Sequence, residues 1–174
     1  MGVLRRFGRD RSGVSAIEFA MIAPLFFALV FSTIETGWIM VRSTALDRAL
    51  DIAVRQVRIG AKPDQAAMKA AICANMTLVV HACASAMLVE MTTVSSATDI
   101  PSTGAKCIDR GSTVAQSGAY TTGTEQATLF VRACLVADPL TPLIGVALAL
   151  PKDALGGYWL VASSAFKKEP EKNK

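Results

Sequence analysis

The chain has 174 residues, 52% of them hydrophobic, with a mean hydropathy of +0.40 and a net charge of +4. That length accommodates one modest folded domain together with a membrane segment. Arg5, Arg6, Arg9 and Arg11 against Asp10 place +3 of the charge in residues 1–13. The basic balance therefore belongs to a short tail rather than to a face, which argues against a nucleic-acid partner and, by the positive-inside rule, for a tail kept in the cytoplasm.

From residue 14 to residue 34 every position is apolar or small except Ser15, Glu18, Ser32 and Thr33. At about 1.5 Å per residue this stretch spans roughly 30 Å, the thickness of a hydrocarbon core. A carboxylate placed in such a segment is costly, so Glu18 is a functional candidate by default. The helix is expected to run on to residue 59. Leu46, Ala49, Leu50, Ala53 and Val57 form one apolar stripe at helical spacing, with most charges on the other side, and Gly60 is a natural stop. Pro24 is expected to bend the helix or disturb its hydrogen bonds. Glu35 reads as an interfacial carboxylate, or else as an inter-subunit contact to an arginine such as Arg42, and Trp38 as part of the aromatic interfacial belt.

A second helix is expected from Pro63, with Asp64 in its first turn. Alternation predicts strands over residues 87–92, 129–136 and 158–166. Between the first two, residues 92–128 form a long loop rich in Ser, Thr, Gly and Ala, with room for a short pairing element. Residues 143–150 are apolar and of undecided type, and the tail from residue 167 is charged and expected to fray.

Cys73, Cys83, Cys107 and Cys134 all follow the membrane segment. An even number on that side favours two disulfides in an oxidising compartment. Three connectivities exist, and sequence proximity favours Cys73–Cys83 with Cys107–Cys134. There is no CxxC pair and His81 is the sole histidine, so no metal site is expected and His81 reads as structural. No nucleophile elbow, GxGxxG or Walker-A pattern occurs, so neither an enzyme nor a cofactor is expected.

Counted from Val14 as the first residue after a cut, Glu18 is the fifth. A basic leader, Gly13 at the cut, glutamate at the fifth place and an apolar helix resemble the class III signal of type IV pilins. The run Arg11-Ser12-Gly13-Val14-Ser15-Ala16-Ile17-Glu18-Phe19-Ala20, followed by Pro24-Leu25 and Glu35-Thr36-Gly37, resembles the TadE/TadG family of tight-adherence (Tad, or Flp) pilus systems. Arg55-Gln56-Val57-Arg58-Ile59-Gly60 is similar to that family's helix end. Patchier likeness continues through Cys73 and Cys83, Val131-Arg132, Pro142-Leu143 and the closing Ala165-Phe166-Lys167. Phe19 keeps an aromatic ring where Flp-type processing motifs often carry tyrosine.

The resemblance implies a minor pilin, or pseudopilin, cut between Gly13 and Val14 by prepilin peptidase. Glu18 and Phe19 would then serve processing and assembly. Implied partners are the inner membrane, the peptidase, other Tad pilins and pseudopilins, and the inner-membrane assembly platform. The expected architecture is α+β, with a cytoplasmic leader over 1–13, a transmembrane helix over 14–40, an amphipathic extension over 41–60 and a periplasmic head over 61–174. The head would hold the second helix, a short antiparallel sheet and the 92–128 loop. The competing reading is an uncleaved single-pass anchor that displays an adhesion or partner-binding module through that loop.

Overall fold

The structure, a computed structural model, describes residues 13–76, 80, 82–100, 104–112, 116–142 and 145–170. The arginine-rich leader before Gly13, His81 and the last four residues lie outside the described residues. The architecture is α+β. In chain order the elements are α1 (Val14–Arg58), α2 (Gln65–Ala74), a single turn α3 (Cys83–Ala86), and strands β1 (Met87–Thr93), β2 (Thr128–Ala137) and β3 (Tyr158–Lys167). Short 3-10 turns stand at Ala97–Asp99 and Gly145–Leu148.

The 45 residues of α1 run without interruption through Pro24. The proline's missing N–H removes one bond of the ladder, and the helix continues on either side. Ser32, Thr33, Thr36 and Thr44 turn their hydroxyls onto the carbonyls four residues earlier, at 2.6–2.9 Å. Hydroxyls satisfied in this way are compatible with an apolar surround, because they leave no unpaired donor. The helix closes with Gly60 at φ +113°. The N–H of Gly60 bonds Val57 O and that of Ala61 bonds Gln56 O, at 3.1 and 3.0 Å. This reversal needs a left-handed residue, which explains the glycine.

Helix α2 starts two residues later than the sequence suggests, at Gln65 rather than Pro63. Asp64 is the cap rather than part of the first turn, its carboxylate accepting from Ala67 N at 2.7 Å. Capping satisfies one of the orphan N–H groups at the helix start.

The sheet has the order β1-β2-β3 and is antiparallel throughout. Its register aligns Met87, Val89 and Met91 with Leu135, Ala133 and Val131, and these with Leu160, Ala162 and Ser164. That face packs on the second half of α1, where Leu46, Ala49, Leu50, Ala53 and Val57 are buried together with Val54. The apolar stripe read from the sequence is thus the seam between helix and sheet. Met68 and Ile72 of α2 close the core from the side.

Residues 104–112 and 116–120 border the sheet. Cys107 is bonded to Cys134 on its opposite face, and Met91 forms a parallel bridge with Tyr120, its N–H bonding Ala119 O while its carbonyl accepts from Thr121 N. The long loop therefore does contain a pairing element. Tyr120 O–H reaches Pro63 O at 3.0 Å, and burial, followed by the nearby Asp64 charge, pushes its pKa up to about 12. The described tail is not frayed, contrary to expectation. Lys168 is buried, its N–H bonded to Ala127 O and its ammonium to Thr122 O, while Glu169 N–H reaches Arg58 O. These partners lie 41 or more positions earlier in the chain, so local composition gave no sign of them.

Candidate functional site

Two regions of α1 carry the chemistry. In the first turns, Gly13 lies just outside the helix, its carbonyl accepting from Ile17 N at 3.2 Å, and Val14 is the first helical residue. Glu18 and Phe19 are exposed and stand away from the sheet. Glu18 sits four residues after Val14, so both fall on one side of the helix. The exposed side chains from residue 14 to residue 34 are almost wholly apolar, among them Ile17, Phe19, Met21, Ile22, Leu25 and Phe26. An 18-residue window of α1 has a mean hydropathy of 2.2 with none of it buried. Among the described residues this is the one helix long and apolar enough to cross a membrane, of the kind that forms a single-pass anchor.

The second region is the junction where the bare helix meets the rest of the fold. Glu35, Trp38 and Arg42 recur at helical spacing and face the turn after β2. Glu35 is fully buried. Its carboxylate accepts from Leu140 N at 3.2 Å, Thr141 N at 2.9 Å and the Thr141 hydroxyl at 3.0 Å. Arg42 donates to Asp138 O at 2.6 Å and to the Tyr158 hydroxyl at 2.7 Å, and its guanidinium lies over the Trp38 and Tyr158 rings at 5.3 and 5.9 Å. Trp38 Nε1 and Arg42 Nε are buried without an acceptor among the described residues.

The junction continues through a second arginine. Arg110 holds Asp138 with both ends of its guanidinium, at 2.7 and 3.1 Å, and Asp153 through Nε at 2.6 Å. Asp153 in turn accepts from Gly157 N at 2.7 Å. Burial pushes the Asp153 carboxyl up, but the Arg110 and Gly157 hydrogen bonds outweigh it and leave the pKa below the ordinary value. A Cβ at Gly157 would collide with the Arg110 guanidinium, so the turn into β3 is shaped around this arginine.

The structure gives Glu35 partners that its sequence context does not name. Within the chain it is fully buried, and its bonds go to Leu140 and Thr141. It is the acceptor for a turn 105 positions away. A sequence signal existed: Pro139 and Pro142 have no N–H, so the turn they bracket exposes only the donors of Leu140 and Thr141, which need an acceptor from elsewhere. Trp38 is half-buried, with the Arg42 guanidinium over its ring. Glu35→Ala should leave three donors unsatisfied and weaken the junction by about 1–3 kcal/mol. The check is hydrogen exchange at Leu140 and Thr141, faster in Glu35→Ala and closer to native in Glu35→Gln, which keeps an oxygen acceptor.

The four cysteines pair as Cys73–Cys83 and Cys107–Cys134, the pairing favoured by proximity. The first ties the end of α2 to α3. Among the described residues no group of three or more His, Cys, Asp or Glu is placed to hold a metal ion.

Residues 13–55 match the family model described as TadE-like protein. The match covers 43 of the 174 residues, all within the long helix and its cap. The match opens at Gly13 and closes at Arg55, three residues before α1 ends, so it takes in both the bare apolar stretch and the Glu35–Arg42 junction. The TadE-like segment stops short of the sheet. Comparison with curated proteins and with solved structures gave no match.

Proposed function

We propose that this chain is a minor pilin, or pseudopilin, that works in assembly of a Tad (Flp) pilus from the bacterial inner membrane. In this reading prepilin peptidase cuts after Gly13 on the cytoplasmic side, and the head lies in the periplasm. The observation that carries the proposal is the TadE-like match beginning at Gly13. A bare apolar helix with a lone carboxylate one turn in, and more than a hundred residues beyond the helix, supports the minor class rather than a major pilin built as a helix with little after it.

Cleavage would leave a positively charged amine on Val14. Glu18 of a neighbouring subunit can offset that charge as helices stack. Desolvation strengthens such a pair, and a misaligned stack leaves a buried charge unpaired, so the pair can set the stagger between subunits. The Glu18 side chain is exposed on the helix, as such a contact between chains requires.

The mature N-terminus, measured by mass spectrometry in cells with and without the peptidase, tests the processing step. A Val14 terminus is expected only where the peptidase is present; a Met1 or Gly2 terminus in both strains would end the processing claim. Glu18→Ala should still insert, yet its co-purification with other pilus components should fall about tenfold or more, as expected for loss of at least ~1.4 kcal/mol of pairing. Unchanged co-purification would contradict the charge-pairing role.

A further inference from the structure

The turn that Glu35 holds has an unexplained surface. By sequence, residues 139–151 carry no charged side chain. In the structure Leu140, Val146 and Leu148 are 52%, 41% and 58% exposed. The Gly145–Leu148 turn packs along α1, and Leu140 N is bonded to Glu35 itself. These apolar side chains are therefore fixed beside the helix, not at the tip of the head.

Their height along α1 follows from the same contacts. Residue 42 holds Asp138 and residue 35 holds Leu140 and Thr141, so the chain leaving β2 descends towards the bare end of the helix. A hydrocarbon core about 30 Å thick that begins at Val14 ends near residue 34, one residue before Glu35. At that level α1 itself presents Phe31 and Ile34, 37% and 53% exposed. The opposite end of the sheet lies far off, since Glu169 after β3 bonds the carbonyl of Arg58 at the other end of α1.

We propose that Leu140, Val146 and Leu148 rest in lipid at the head-side surface of the bilayer. They continue the apolar surface of the helix outwards and give the chain a second membrane contact beside its anchor. Apolar side chains lying in the interface next to a spanning helix bury surface that would otherwise face water. Two contacts limit how far the head can tilt on its helix, with Glu35 and Arg42 as the braces between them. This inference rests on the membrane reading of α1.

The test uses the full chain in phospholipid vesicles. A photo-crosslinking residue (benzoylphenylalanine) replaces Leu140, Leu148, Phe26 or Ile59, one at a time, and adducts are read by mass spectrometry. Phe26 is 57% exposed inside the apolar stretch, and Ile59 is 61% exposed at the far end of α1. Lipid adducts at Leu140 and Leu148 comparable to those at Phe26, with none at Ile59, are expected. Lipid adducts at Phe26 alone would overturn the second contact and leave the membrane anchor standing. Protein adducts at Leu148 in place of lipid would also overturn it and assign the surface to a neighbouring chain. Absence of lipid adducts even at Phe26 would overturn the anchor and the inference together. If the label at Leu148 prevents the two disulfides from forming, Val146 carries it instead.

Discussion

Replacing Cys107 and Cys134 together with serine is expected to destabilise the folded head by about 3.5 kcal/mol. The bridge closes a loop with a sequence separation of 27, and loop-closure entropy for that length gives about this figure. The Cys73–Cys83 bridge, with a separation of 10, should contribute less, about 2.7 kcal/mol by the same relation. The difference in folded structure points the same way. Cys134 sits in the central strand, paired with Leu88 on one side and Val161 on the other. Its bridge is what holds the middle of the long loop against the sheet, whereas Cys73 and Cys83 join two short helices at the margin. Urea unfolding of the full chain in detergent, followed by the emission of Trp38 and Trp159, should show the midpoint of the Cys107/Cys134 variant lowered by about 2 M, for a slope of about 1.5–2 kcal/mol per M. A shift smaller than that of the Cys73/Cys83 variant would contradict the ranking.

The second large effect is expected at Leu50. Its side chain is 1% exposed, in the seam between α1 and the sheet. Leu50→Ala removes apolar contact and leaves a cavity walled by both elements, for a loss of about 3 kcal/mol. Ile52, two residues on, is 42% exposed, and Ile52→Ala should change stability by less than about 0.5 kcal/mol. The pair separates packing from helix propensity, because both substitutions place alanine in the same helix. Insertion of the apolar stretch into detergent or lipid should be unaffected in either variant. A midpoint for Leu50→Ala equal to that of Ile52→Ala would mean that the sheet does not depend on this seam.

What could be read in advance divides by the range of the interaction. The stripe from Leu46 to Val57 was legible because burial on one side of a helix imposes a 3.6-residue period. The strands were legible because a pleated strand with one face on a core alternates, and each runs only one residue beyond its expected end or ends. The disulfide pairing agreed with simple proximity. The partners of Glu35 were not legible because they are donors in a turn 105 positions later. Lys168 was misread for the same reason: a lysine in a charged tail looks solvated until the carbonyl of Thr122 accepts from it.

The sequence alone determined that one helix is apolar enough for a bilayer, that it continues as an amphipathic arm, and that a small cysteine-bearing sheet follows. Those properties come from composition and period, which act locally. Only the tertiary structure decided how the sheet is braced on the helix, through Glu35 on the Leu140–Thr141 turn and Arg42 on Asp138 and Tyr158. A buried carboxylate or guanidinium is tolerated where partners converge on it from distant parts of the chain, and that convergence exists only once the chain has folded.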